Sequence, residues 1–316
     1  MNRLDHLALL GLFLFLSLLL SSLAYGKNPA SSARAIDPLV TTDWLQANSK
    51  MENLVILDIR SKKDYSEGHI PSSINVPFEV PVSEWIIAKD DLLLEVPEGT
   101  ALSNTIGACG ISSKSLVVVV TTVTNPPDPP YPLANATRVA DTLIYAGVKN
   151  VAILDGGYPK WKKEGKATDT EVPRANKVSY QGKTNKAMFV SREHVRKSIG
   201  KSLLIDARDA HVYFGVMLEP FANKAGHIPS AKSLPTPWMW KPDGTYQDSR
   251  TLEAMAAGVI GKDKAKEIIV YCGVGGYASS WWFVLTQVLG YPNVKIYDGS
   301  AQEWVRHHDM VAYQWN

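Results

Sequence analysis

A cysteine placed directly after an apolar, strand-like run and followed at once by glycines is the arrangement in this chain best suited to chemistry. The stretch is VYCGVGGYAS, residues 270–279, and Cys272 is one of only two cysteines in 316 residues. Gly273, Gly275 and Gly276 let the backbone curl until several amide N–H groups point inward, and a helix opening behind them adds the positive end of its dipole. Such a nest stabilises an anion, and a thiolate on Cys272 is that anion. The same field is expected to depress the thiol below its free value of about 8.5, which would raise the nucleophilic fraction at neutral pH. Gly273, Val274, Gly275, Gly276 and Tyr277 are then the candidates to hold what the sulfur attacks.

The elements that must position this loop are legible on either side of it. EIIVYC reads as a buried strand delivering Cys272 at its C-terminal end, and ASSWWFVLTQVLG reads as the helix that follows, closed by Gly290. Open α/β sheets place their ligands beyond the carboxyl ends of their strands, where this loop falls.

The chain also repeats itself. LDIRSKKDYSEGHIPSSINVP from Leu57 and IDARDAHVYFGVMLEPFANKAGHIPSAKSLP from Ile205 share Asp-x-Arg and Gly-His-Ile-Pro-Ser, with a longer insert in the second copy. YAGVKNVAILDGGYPKW, ending at Trp161, and VLGYPNVKIYDGSAQEW, ending at Trp304, share Asn-Val, Asp-Gly and Trp in register. In the first copy NLVILDI, SLVVVV and NVAILDG are short β-branched runs alternating with helix-like stretches such as ANATRVADTLIYAG. That alternation predicts an α/β fold of two similar domains, each a mainly parallel central sheet flanked by helices, over 38–165 and 187–310. The polar, aperiodic 166–186 reads as an extended linker.

With these motifs in place the chain resembles a tandem-domain rhodanese, the sulfurtransferase family that includes thiosulfate and 3-mercaptopyruvate sulfurtransferases. The resemblance covers about residues 38 to 310 and rests on Asp-x-Arg and Gly-His-Ile-Pro in both copies, Asp-Gly with a following Trp in both, and Cys-Gly-Val-Gly-Gly-Tyr-Ala in the second. It implies that Cys272 takes a sulfane sulfur from thiosulfate, 3-mercaptopyruvate or a polysulfide, holds it as a persulfide, and passes it to a thiol, to cyanide or to a sulfur-accepting protein. It implies no metal and no organic cofactor. Arg208, of the second Asp-x-Arg, enters as a substrate-binding candidate.

Two departures from the family pattern bear on the donor. Thiosulfate-type members carry basic residues just after the cysteine, where this chain has Gly273 and Val274, and both types usually have a second arginine where it has Val212 and Tyr213. His211 and Lys224 are nearby candidates for replacement charge. Phosphatase chemistry on the same loop requires Cys-x5-Arg, and the residue six after Cys272 is Ala278. A non-enzymatic extracytoplasmic sulfur carrier, or a binding module serving a partner protein, is the rival reading.

The first copy is an internal control. Aligning SLVVVVT with KEIIVYC puts Thr121 where Cys272 stands, and the loop TVTNPPDPPYPLAN that follows is longer, has no glycine and is rich in proline, which removes backbone donors. The first domain is therefore expected to be inactive and to wall the cleft of the second. Asp58, Arg60 and His69 recur as Asp206, Arg208 and His227 although the first copy lacks the nucleophile, which favours strand-to-loop closure and turn fixing over catalysis. Trp281 and Trp282 read as core or interface, while Trp238 and Trp240 in PTPWMW could line an apolar entrance.

Composition sets the outer bounds. With 33 basic and 31 acidic residues the formal charge is +2 and there is no basic stripe for a nucleic-acid backbone to follow, so no nucleic-acid partner is expected. Arg3, the apolar run Leu7–Leu23 and Ala24-Tyr25-Gly26 read as a signal peptide over 1–26, and the run is also long enough for an uncleaved anchor. The protein is expected to be exported, and periplasmic where the cell has an outer membrane. Cys109, in IGACGISSKS, reads as a small buried hydrophobe at a helix end and not as a disulfide partner of Cys272.

Overall fold

A computed structural model describes residues 34–314, so the expected signal peptide and anchor lie outside the described residues. The first domain runs β1 (Leu39–Val40), α1 (Thr42–Asn48), β2 (Leu54–Asp58), α2 (Lys62–Ser66), β3 (Ile74–Asn75), β4 (Ile87–Lys89), β5 (Leu92–Glu95), α3 (Gly99–Ala108), β6 (Leu116–Val120), α4 (Tyr131–Tyr145), β7 (Asn150–Leu154) and α5 (Gly157–Lys163). The second runs β8 (Phe189–Val190), α6 (Arg192–Ser198), β9 (Leu203–Asp206), α7 (Ala210–Tyr213), β10 (Lys232–Ser233), α8 (Ser249–Ile260), β11 (Ile268–Tyr271), α9 (Gly276–Phe283), β12 (Val294–Tyr297) and α10 (Ser300–Trp304).

The two sheets have one topology. Their orders are β1-β7-β6-β2-β3 and β8-β12-β11-β9-β10, all neighbours parallel, which is the expected duplication expressed strand by strand. The central strands β6 and β11 are buried along their whole length, as continuous Val and Ile runs require when helices cover both faces of a sheet. The antiparallel pair β4-β5 belongs to the first domain alone.

The repeated polar motifs are the joints of each domain. Asp58 and Asp206 each accept from the backbone N–H and the guanidinium of the arginine two residues on, and Arg60 and Arg208 donate to the carbonyls of Gly68 and Gly226, which open the Gly-His-Ile-Pro segments. Asp-x-Arg and Gly-His-Ile-Pro are thus one unit tying strand end to loop. His69 and His227 stack on Tyr65 and Tyr213 and bond the carbonyls of those same tyrosines through Nδ1. Their role is structural in both copies, in keeping with their recurrence.

The domains share a core. Helix α4 packs on α9, with Thr137 and Ser280 hydroxyls 2.8 Å apart, and apolar side chains of both domains, Val139 and Leu143 with Trp281 and Phe283 among them, form one continuous cluster. The 166–186 segment is extended but is no loose tether. Val178 N–H donates to Gly107 O and Tyr180 Oη to Ala146 O, laying it along the first domain. Cys109 caps α3 in the core, where burial pushes its thiol up to about 12, and neither cysteine is bridged.

Candidate active site

Strand β11 ends at Tyr271, whose hydroxyl donates to Asp206, and the next residue is Cys272. Gly275 N–H donates to Sγ at 3.1 Å, and the amides of Ala278 and Val274 are also directed at it. The curl needs glycine at position 275 and brings Gly273 close to a neighbouring acid. Gly275 has φ +89°, and a Cβ there would come 2.9 Å from Asp298 Oδ1, while a Cβ on Gly273 would sit 2.9 Å from both oxygens of Glu219. Gly276 starts α9 beside Leu94 of the first domain with room to spare. The back of the loop is fixed by Ser300, whose Oγ accepts from Cys272 N–H, and by Ala301 and Gln302 N–H groups donating to the carbonyls of Cys272 and Gly273.

The nest exists, yet it does not depress the resting thiol. Cys272 is 3% exposed, and burial pushes its pKa up more than the amides of Ala278, Val274 and Gly275 pull it down, with the Glu219 carboxylate adding to the rise. The expected depression counts the amides alone and leaves out both the depth of the sulfur and the acid beside it.

Beside the loop lies a cleft of about 610 Å³ whose lining takes in Tyr277 of the loop but not Cys272, Gly273, Val274, Gly275 or Gly276. The first domain supplies Val123 and the proline-rich 126–130 stretch with Tyr131, and the second supplies Asp209, Glu219, Trp240 and Tyr277. The rings of Tyr131 and Tyr277 meet across the domain boundary at 5.7 Å. The first domain does wall the cleft, and its own loop is filled differently, with Thr121 Oγ1 donating to Pro132 O.

The other expected residues divide. Arg208 is not in the cleft lining, and its guanidinium is taken up by Asp206, Gly226 O and Glu219 Oε2 at 3.3 Å. His211 lines the cleft, whereas Lys224 pairs with Asp309 outside it. Trp240 lines the cleft, Trp281 and Trp282 are core, and Trp238 is exposed and not part of the lining. Glu219, Asp209, Tyr131, Ala278 and Ser300 join the site without having been expected there. Glu219 sits in the insert that lengthens the second copy, and nothing local in that insert singles it out.

The rhodanese-like domain profile matches twice, over residues 41–164 and 191–307. The chain belongs to the rhodanese family. Among its relatives is the sulfur carrier protein TtuD of Thermus thermophilus, 32% identical over 84% of this chain and 93% of that protein. A candidate thiosulfate sulfurtransferase of Saccharopolyspora erythraea is 29% identical over 87% and 94%. Among solved structures, a variant of EanB in complex with ergothioneine superposes with TM-score 0.73 at 21% identity, covering 87% of this chain and 71% of that one, which speaks for the rhodanese fold.

Proposed function

We propose that the protein moves sulfane sulfur through a persulfide on Cys272. The observation that carries this reading is the ring of backbone N–H groups around a single sulfur at the end of β11. In the first half-reaction the Cys272 thiolate attacks the outer sulfur of a donor. One S–S bond forms, the donor's bond to that sulfur breaks, and the electron pair leaves with the donor remnant, as sulfite when the donor is thiosulfate. In the second, an acceptor thiolate attacks the terminal sulfur of the persulfide and the pair returns to Cys272. Amides preorganised around Sγ stabilise the anion present before and after transfer without reorganising during it.

A carrier role is the second reading, and the TtuD relative favours it, as does the lack of an arginine or lysine at positions 273–278 of the loop. Turnover separates the two. The enzyme reading requires that a small thiol or cyanide regenerate Cys272 over many cycles and that Cys272→Ser abolish this; single-round loading that small acceptors cannot reverse would sink it.

A further inference from the structure

The electrostatics of the cleft run opposite to those needed for an anionic partner. The charges felt at Tyr131 and Tyr277, the two rings over the loop, are those of Asp209, Glu219 and the Cys272 sulfur itself. Glu219 stands against Gly273, its side chain 19% exposed. Lys241 and His211 line the same space, Lys241 within electrostatic reach of the Asp155 and Asp243 carboxylates and His211 within reach of Asp209. Arg208 is shared between Asp206 at 2.6 Å and Glu219 at 3.3 Å, one guanidinium against two carboxylates, so the group keeps a net negative charge. A third acid, Asp128, and Thr124 join the wall, and most of the rest is proline, aromatic and aliphatic.

An acceptor must reach the persulfide as a thiolate, and so it brings a negative charge up to Glu219 and Asp209. A positive charge elsewhere on the same molecule offsets that repulsion, whereas a second negative charge doubles it in a setting where screening is weak. Building on the sulfur-transfer reading, we infer that the acid-lined, aromatic cleft beside the Cys272 loop selects a small cation-bearing thiol as its sulfur acceptor. The step is RS⁻ + Cys272–S–SH → RS–SH + Cys272–S⁻, in which one S–S bond forms as another breaks and no oxidant is consumed.

Three thiols that share a reacting group and differ in charge provide the test: cysteamine, 2-mercaptoethanol and 3-mercaptopropionate. The full-length protein is loaded with polysulfide, freed of excess, and unloaded at pH 8 by each thiol, with Cys272 followed by intact mass. Rates are corrected for each thiol's ionised fraction and for its reaction with a free small persulfide. Cysteamine is expected to unload Cys272 about tenfold faster than 3-mercaptopropionate, with 2-mercaptoethanol between, and Glu219→Gln is expected to narrow that spread several-fold. A spread that is flat or reversed overturns the acceptor class while leaving the sulfur-transfer reading intact. A spread that is unaltered in both Glu219→Gln and Asp209→Asn also overturns it, because the selection would then lie elsewhere. Failure to load with any donor overturns both.

Discussion

Arg138 of the first domain and Asp298 of the second form an ion pair at 2.7 Å, directly behind the loop that carries Cys272. Asp298 Oδ1 lies where a side chain on Gly275 would go, and its Oδ2 accepts from Val96 N–H of the first domain. The partner domain thus braces the loop from behind while walling the cleft in front. Arg138→Ala would strand a buried carboxylate, and losses of this kind cost about 3–5 kcal/mol. Urea unfolding should show that loss, and adding Asp298→Asn to Arg138→Ala should recover part of it.

Gly275→Ala should impair the site more than the fold. The residue would have to adopt φ +89° and place its Cβ against Asp298. Sulfur loading should fall at least tenfold with a stability loss of about 1–3 kcal/mol. Loading at the parent rate would mean that the amide of Gly275 is dispensable.

Burial raises the Cys272 thiol and Glu219 adds to it, so its reactive form should appear only above the ordinary thiol value of about 8.5. The rate of alkylation by iodoacetamide against pH gives the midpoint. Glu219→Gln should lower that midpoint, since a neutral amide no longer opposes the thiolate. A parent midpoint near 7 would show the amides prevailing over burial.

Thr121→Cys in a Cys272→Ser background should create no second site. Thr121 sits at the matching strand end, and its carbonyl accepts from Tyr158 N–H as that of Cys272 does from Ala301, but the loop beyond it is proline-rich and its hydroxyl is turned to Pro132 O. Intact mass after polysulfide treatment should show no sulfur at position 121.

Stability should fall as pH rises from about 5 to about 8. Burial holds Glu95 up to about 8 and Asp155 up to about 6, and raises Asp141 well above the usual range. Folding favours the protonated form of each, so the penalty is absent below the unfolded carboxyl values and complete once pH passes the folded ones. Thermal midpoints between pH 5 and 8.5 check the slope, and Glu95→Gln should flatten it; a midpoint that climbs across this window would contradict the assignment.

Much of this molecule is legible in its amino-acid sequence. The paired Asp-x-Arg and Gly-His-Ile-Pro segments, with Asp155 and Asp298 beside their closing tryptophans, carry the duplication, because each fixes a joint every copy must have. The Cys272 loop is legible because glycine at 275 has a steric reason to be there. Long-range relationships stay hidden. No local pattern in 214–224 announces that Glu219 folds back onto Gly273, nor that Tyr131 of the first copy meets Tyr277 of the second. The thiol shift takes the opposite sign to the one expected for the same reason: amide direction follows from local sequence, but the depth of Sγ comes from how two domains close over it.

The central claim rests on one sulfur atom. Intact-protein mass spectrometry after exposure to thiosulfate, 3-mercaptopyruvate or polysulfide, alongside Cys272→Ser, tests it most directly. The expected result is a gain of one sulfur mass in the parent, absent in Cys272→Ser and reversed by cyanide or a small thiol. No gain with any donor, or an equal gain in Cys272→Ser, would contradict it.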